Sequence, residues 1–261
     1  MDAGTLKGLL ALSIHAARSP AELILNHWEN PGLFVEHKGD GSPVTLADRD
    51  AESTIRTILQ GNPHSADFDI LGEEFGQAEQ KTRYRWLIDP IDGTRSFINH
   101  IPLFGTILAL EDSKSHKALI GVIHLPVLNV TYSAARGLGC FRNGVPVSVS
   151  KEASIETGII ATGDIAQFIS AGCEGMFQRL TRVCHYLRGY TDCFGHALVI
   201  EGSIAAMLDP ALNPWDSVAT EVLIEEAGGI MVTRPSKVAG KIDALFGSPS
   251  IVYELVQVLN F

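Results

Sequence analysis

The sequence predicts an α/β protein in two joined halves, an α+β half at the N-terminus and an α/β half at the C-terminus. Three observations predict it. Apolar residues recur at helical spacing up to about Gly61. From Asp69 to Pro146, short apolar runs alternate with turn residues in strand rhythm. Beyond Val149, strand-like and helix-like segments take turns, the order of a layered α/β unit. The boundary is expected at 146/147, giving halves 1–146 and 147–261.

Taken in order, the opening stretch to about Trp28 reads as helix, with Leu6, Leu9 and Leu10 on one side, and Ser19-Pro20 starting or kinking a second helix. Glu36 to Val44 is polar and Gly-rich, so it reads as a loop. Thr45 begins a helix in which Ala51, Ile55, Ile58 and Leu59 keep helical spacing, and Gly61 with Pro63 ends it. Ile70-Leu71 and Trp86-Leu87-Ile88 are short buried strands, each running into acidic residues. Gly105–Leu110, Leu119–His124 and Val130–Ala134 follow as consecutive strands, closed by the turn-rich stretch with Asn143-Gly144. The second half reads as strand Gly158–Thr162, helix Ile165–Cys184, strand Tyr186–Tyr190 and helix near Phe194–Glu201. Strand Ala205–Asp209, helix Asp216–Ala227, strands Ile230–Val232 and Ala244–Phe246, and a helix from Ile251 complete it.

Composition excludes several classes. The chain of 261 residues is 46% hydrophobic and 19% charged, with 20 Lys+Arg against 30 Asp+Glu for a net charge of -10. It is long enough to bury a core without staples, and it has no block of basic residues for a nucleic-acid backbone. No apolar run reaches the ~18 residues of a membrane span, and Met1–Lys7 lacks a signal-peptide pattern, so a cytoplasmic protein is expected. The four cysteines form no CxxC pair and have no His at zinc-ligand spacing, which predicts buried, inert thiols.

The densest chemical signal is Trp86-Leu-Ile-Asp89-Pro90-Ile91-Asp92-Gly93-Thr94. An apolar strand ends there in two carboxylates three residues apart, followed by a Gly-Thr turn. Mg²⁺ takes oxygen ligands at about 2.0–2.1 Å and leaves places for phosphate oxygens and water. Asp89, Asp92 and the Ile91 carbonyl suit it. The N–H groups of Gly93 and Thr94 would open a short helix and cradle a phosphate. The plainer alternative is an Asp-rich turn with Asp92 as a helix cap. Gly72-Glu73-Glu74 lies upstream, and Asn213-Pro214-Trp215-Asp216 starts a helix that ends at Glu226-Ala227-Gly228-Gly229. The plain readings there are a solvated loop and an N-cap at Asp216.

These segments together resemble the inositol monophosphatase family of Mg²⁺-dependent, lithium-sensitive phosphomonoesterases. The DPIDGT box stands unbroken at Asp89–Thr94, and the Trp-Asp pair with its Glu-Ala-Gly-Gly end is Trp215-Asp216 and Glu226–Gly229. The resemblance implies a layered αβαβα sandwich of the inositol monophosphatase or sugar phosphatase type. It implies that Glu73, Asp89 and the Ile91 carbonyl hold one metal, and that Asp89, Asp92 and Asp216 hold a second. A weaker third metal would also use Glu73. Most ligands thus fall in the first half, the last ligand and the specificity residues in the second. Two metals roughly 3.5–4 Å apart clamp the attacking and leaving oxygens of an in-line displacement.

Asp48 and Thr94 are expected, from the resemblance, to pair and to orient or deprotonate the attacking water, although Thr45-Leu-Ala-Asp48 is also a capping box. Lys38 matches the family's lysine near the site. Asp209, seven residues before Asp216, corresponds to an acidic residue that contacts substrate hydroxyls in inositol-directed members. The stretch around Asp192-Cys-Phe-Gly-His196 and the Leu212-Asn-Pro-Trp-Asp216 form are closer to the histidinol-phosphate phosphatase branch. A histidinol phosphate substrate carries an ammonium and an imidazole, which carboxylates beyond the metal set, Asp192 and Asp209, would reward. Asp192 as a plain turn residue is the alternative. Other readings are an inositol-1-phosphate phosphatase, a 3′-phosphonucleotidase, and a non-catalytic transcription-associated factor on the same fold. The haloacid-dehalogenase class is excluded, because it needs Asp-x-Asp where this chain has Asp-x-x-Asp. A homodimer acting on a small phosphate ester, away from nucleic acid and membrane, is expected.

Overall fold

The structure, a computed structural model, describes residues 1–30, 35–37, 43–77, 82–152 and 154–261. Helix α1 (Ala3–Arg18) opens on Asp2, whose carboxylate accepts the Gly4 and Thr5 N–H groups. Helix α2 (Ala21–Trp28) follows the break at Ser19-Pro20. Where a loop was expected, strands β1 (Val35–His37) and β2 (Pro43–Thr45) pair antiparallel, with Glu36 opposite Val44. Pairing satisfies backbone groups on both arms, whereas the polar, Gly-rich composition signals only the turn. Helix α3 (Leu46–Gln60) buries Ala47, Ala51, Ile55 and Leu59 along one stripe.

Strand β3 (Asp69–Gly72) pairs in parallel with β4 (Tyr84–Asp92). The β4 strand runs on through the acidic motif, with a register shift between Asp89 and Asp92, the mark of a bulge that re-aims side chains. Gly93 then takes a left-handed φ of 86° to start α4 (Thr94–Ile98), a conformation that costs glycine nothing. Strands β5 (Gly105–Asp112), β6 (Lys117–Leu125), β7 (Val130–Ala135), β8 (Gly139–Arg142) and β9 (Val145–Pro146) follow in antiparallel sequence.

After β10 (Ile159–Thr162), the single helix expected over Ile165–Cys184 is two, α5 (Ile165–Ser170) and α6 (Glu174–Val183). The break falls at Gly172, whose φ of 61° no continuing helix permits. Then come β11 (Tyr186–Arg188), α7 (Asp192–Ile200), β12 (Ala206–Leu212), α8 (Pro214–Glu226), β13 (Ile230–Pro235), β14 (Ile242–Gly247) and α9 (Pro249–Leu259).

Two sheets organise the chain, one of seven strands in the order β3-β4-β5-β6-β7-β8-β9 and one of five in the order β11-β10-β12-β14-β13. Helices α1 and α3 cover the outer face of the larger sheet over a core of Leu9, Ile55, Trp86 and Leu108. Helices α7 and α8 lie between the sheets, where Ile107, Ile123, Ala197, Leu223 and Phe246 share one core. Helices α5, α6 and α9 close the far side over Leu180, Leu245 and Leu255. The result is the five-layered αβαβα sandwich. Gly121 lets α8 lie directly on β6, since a Cβ there would come within 2.4 Å of the Ala219 carbonyl oxygen. All four cysteines are free and buried.

Candidate active site

The acidic cleft forms where β4 ends and where the N-termini of α7 and α8 emerge from the inter-sheet layer. Parallel pairing carries on past β3, because the Glu73 N–H donates to the Ile88 carbonyl at 3.1 Å. That bond sets Glu73 beside Asp89. One carboxylate oxygen from each of Asp89, Asp92 and Asp216 lies within 4.8 Å of the others. The cleft has a volume of about 540 Å³, and Glu73, Asp89, Ile91, Asp92 and Asp216 all line it.

Such crowding is costly for charge. Asp89 is 3% exposed, and burial, followed by the charges of Glu73, Asp92 and Asp216, raises its carboxyl well above the usual carboxylate range. Burial, then Asp192 and Asp216, raises Asp92 likewise. Asp216 is pushed up to about 7, by burial first and Glu73 second. The Oδ1 atom of Asp89 is buried with no hydrogen-bond donor among the described residues. An orphaned anionic oxygen among like charges is what a hard divalent cation satisfies, so the residues fit a metal.

The supports of this cluster come from distant elements. Cys193, in the first turn of α7, donates its backbone N–H to Asp92 Oδ2. Asp216 is not the N-cap of α8 but its third residue, in a capping box: Asn213 is the cap, and its backbone N–H donates to Asp216 Oδ2 at 2.8 Å. Glu52, on α3 and fully buried, accepts the Glu74 N–H at 2.8 Å and pairs with Arg56 at 2.7 Å. Arg56 in turn donates to the Gly76 carbonyl at 2.8 Å. Glu73 therefore stands on a braced turn and not on a solvated loop.

Other expected site residues are placed unevenly. Gly93, Thr94 and Asp192 line the cleft. The Thr94 hydroxyl donates to the Ile91 carbonyl at 3.1 Å, which leaves that carbonyl a second lone pair. Asp48 is 2% exposed, and its Oδ2 accepts the Thr45 N–H at 2.8 Å and the Thr45 hydroxyl at 2.7 Å, as the capping alternative has it. In neither bond do Asp48 and Thr94 meet. Lys38 lies outside the described residues. Asp192 takes a φ of 57°, accepts the Thr191 hydroxyl at 2.8 Å, and is pushed up to about 6 by burial above all.

Asp209 is buried near Asp192, whose carboxyl its charge helps to raise. It is 1% exposed, is absent from the described lining of the cleft, and its Oδ2 accepts from His196 Nε2 at 3.0 Å. Its other oxygen, Oδ1, is buried and has no hydrogen-bond partner among the described residues. The sequence reading also missed Arg95 and Lys241, cationic side chains on the cleft wall. Lys241 is near enough to Asp216 to favour its charged form. No spacing announced it, since it precedes β14 in a turn twenty-five residues beyond Asp216.

Fold and cleft together are those of a phosphoric monoester hydrolase. The sequence profile of the Inositol monophosphatase family matches residues 6–255. The chain belongs to that family. A histidinol-phosphatase of Chlorobaculum parvum is 37% identical over 220 residues, covering 84% of this chain and 83% of its own. A fructose-1,6-bisphosphatase/inositol-1-monophosphatase of Thermotoga maritima is 32% identical over 253 residues, covering 96% and 95%. The solved structure of a Thermotoga maritima IMPase superposes with a TM-score of 0.84 at 30% identity, over 97% of each chain. Among the described residues no helix is long and apolar enough to cross a membrane.

Proposed function

We propose that this protein hydrolyses L-histidinol phosphate to L-histidinol and phosphate with Mg²⁺ as its metal. The observation that carries the reading is Asp192, a carboxylate on the cleft wall in addition to the Asp89, Asp92 and Asp216 cluster. A Cβ on Gly93 would stand 3.2 Å from Asp192 Oδ2, so this carboxylate flanks the turn that receives the phosphate. A cationic leaving group rewards a second carboxylate by charge-assisted hydrogen bonds. The likeness to the Chlorobaculum histidinol-phosphatase supports the same reading.

Glu73, Asp89, Asp92, Asp216 and the Ile91 carbonyl would hold two Mg²⁺, with room for a weaker third. Bound Mg²⁺ would neutralise phosphoryl charge and activate the attacking water. In this reading Gly93 and Thr94 offer main-chain N–H groups to the phosphate, and Arg95 and Lys241 add positive charge around it. The Thr94 hydroxyl orients the water, and Asp48 steadies that side of the cleft through the start of α3. A homodimer is the proposed assembly.

An inositol-phosphate substrate is the second reading, favoured by the likeness to the Thermotoga enzyme. The deciding experiment is kcat/KM for phosphate release from L-histidinol phosphate and from myo-inositol 1-phosphate at matched Mg²⁺. The expected preference for histidinol phosphate is about a hundredfold, or about 2.7 kcal/mol of transition-state binding. Equal or reversed rates transfer the assignment to the polyol phosphates.

A further inference from the structure

His196 is 1% exposed and sits at the junction of three elements. Its Nε2 lies 3.0 Å from Asp209 Oδ2 on β12, and its Nδ1 lies 2.7 Å from the Thr220 hydroxyl on α8. The Phe246 ring of β14 meets the imidazole edge-on at 4.9 Å. Each ring nitrogen thus has a polar partner, and the Thr220 hydroxyl also lies 3.4 Å from the Asp216 carbonyl oxygen, which it can reach as donor. Asp209 is held at Oδ2 by the imidazole, while its Oδ1 has no hydrogen-bond partner among the described residues. A Cβ on Gly163 would come within 2.0 Å of its Oδ1, so the carboxylate is pressed against that backbone.

The spacing along the helices gives this bridge a place in the reaction. His196 stands four residues after Asp192 on α7, and Thr220 stands four residues after Asp216 on α8. Each is one helical turn below a side chain of the cleft. The first turn of α7 also carries the Cys193 N–H that holds Asp92. The bridge therefore ties the helix start that fixes Asp92 to the helix start that bears Asp216.

We propose that His196 is a positioning residue for the reaction: its bridge from Asp209 to Thr220 locks the starts of α7 and α8 together and so sets the spacing of Asp92 and Asp216. The inference rests on the reading of those two carboxylates as cation ligands. Like charges held within a few ångströms repel one another when no cation is present. A rigid strut one turn below them keeps the pair at its working separation before the metal arrives. Asp209 is the anchor of that strut, through its Oδ2.

The test compares wild type with Thr220→Val, which keeps the shape and removes the hydroxyl, with Thr220→Ser, which restores it, and with His196→Gln. Mn²⁺ binding is measured by calorimetry without substrate, beside kcat/KM at limiting and at saturating Mg²⁺. We expect Thr220→Val and His196→Gln to bind Mn²⁺ about tenfold more weakly. Activity should fall at limiting Mg²⁺ and recover at saturation, and Thr220→Ser should match wild type. Unchanged Mn²⁺ affinity in a folded Thr220→Val protein, with only its Tm lowered, would reduce the bridge to packing and overturn the proposal. Wild-type protein that binds no Mn²⁺ sinks the cation-site reading itself, and the bridge with it.

Discussion

Asp89 carries an unusual burden for one side chain, an unmatched oxygen within a ring of like charges. Asn has the same size and no charge, so Asp89→Asn should abolish metal-dependent turnover. Without metal it should unfold at a temperature equal to or above that of wild type, because it removes repulsion from the cluster. Turnover assays paired with thermal unfolding in chelator check both halves of this, and a turnover near wild type refutes the ligand assignment. His124 is a second informative residue. Burial, its first cause, brings its imidazole down to about 4. A group depressed in this way is neutral in the folded state while the unfolded chain protonates near the usual 6.5, so its contribution is full above 6.5. It is lost as pH falls toward 4, by up to about 3 kcal/mol. Thermal unfolding of wild type and His124→Gln from pH 7 to pH 4.5 should show a flatter profile for the variant. The residues legible in sequence were those packed into contiguous motifs, Asp89 to Thr94 above all. Glu52 and His196 were not, because their partners lie far along the chain and a lone acid or imidazole on a helix carries no local mark.

At the scale of elements, α8 carries Asp216 of the acidic cluster and is also a wedge between two sheets, so its distance from β6 sets where that carboxylate stands. Gly121→Ala places a Cβ against the Ala219 carbonyl. Overpacking of this kind costs about 1–3 kcal/mol, and the shift of α8 should weaken Mg²⁺ binding through Asp216. Chemical denaturation together with metal titration reads the two effects. A variant that loses stability and keeps its metal affinity shows that α8 tilts without moving its first turn. The order of helices and strands was legible because burial imposes its period on the sequence. The β1–β2 pair, the α5–α6 break, and strands β8 and β9 in a stretch that reads as turns escaped. The β1–β2 pair contains only three residues on each arm, too few for alternation to register, and the α5–α6 break depends on a backbone angle at Gly172 that composition does not display.

For the whole molecule, the cleft draws carboxylates from the end of a strand in the larger sheet and from a helix wedged between the sheets, so a cation bound there would be coupled to folding. Mg²⁺ at a hundred times its Kd should stabilise the native state by about 2.7 kcal/mol. For a chain of this length that is a rise in Tm of roughly 5–10 °C. The rise should vanish in Asp89→Asn, and differential scanning calorimetry with and without Mg²⁺ measures it. An equal rise in the variant points to cations bound elsewhere. The layered architecture was legible through the motif resemblance, since alternation alone predicts two α/β halves without their stacking. The pairing of Asp209 with His196 was not legible, because only the folded chain brings the two together.

The buried thiols make the protein its own gauge of opening. Cys193 is fully buried in the first turn of α7, and burial raises its thiol far above the usual range, while Cys140 is pushed up to about 12. Neither is a thiolate at neutral pH, so an alkylating reagent reacts only with molecules that have opened. The Cys193 backbone is bonded to Asp92, so the labelling rate at this one sulfur reports how often α7 leaves the acidic cluster. Iodoacetamide labelling followed by mass spectrometry should therefore slow at Cys193 when Mg²⁺ is added.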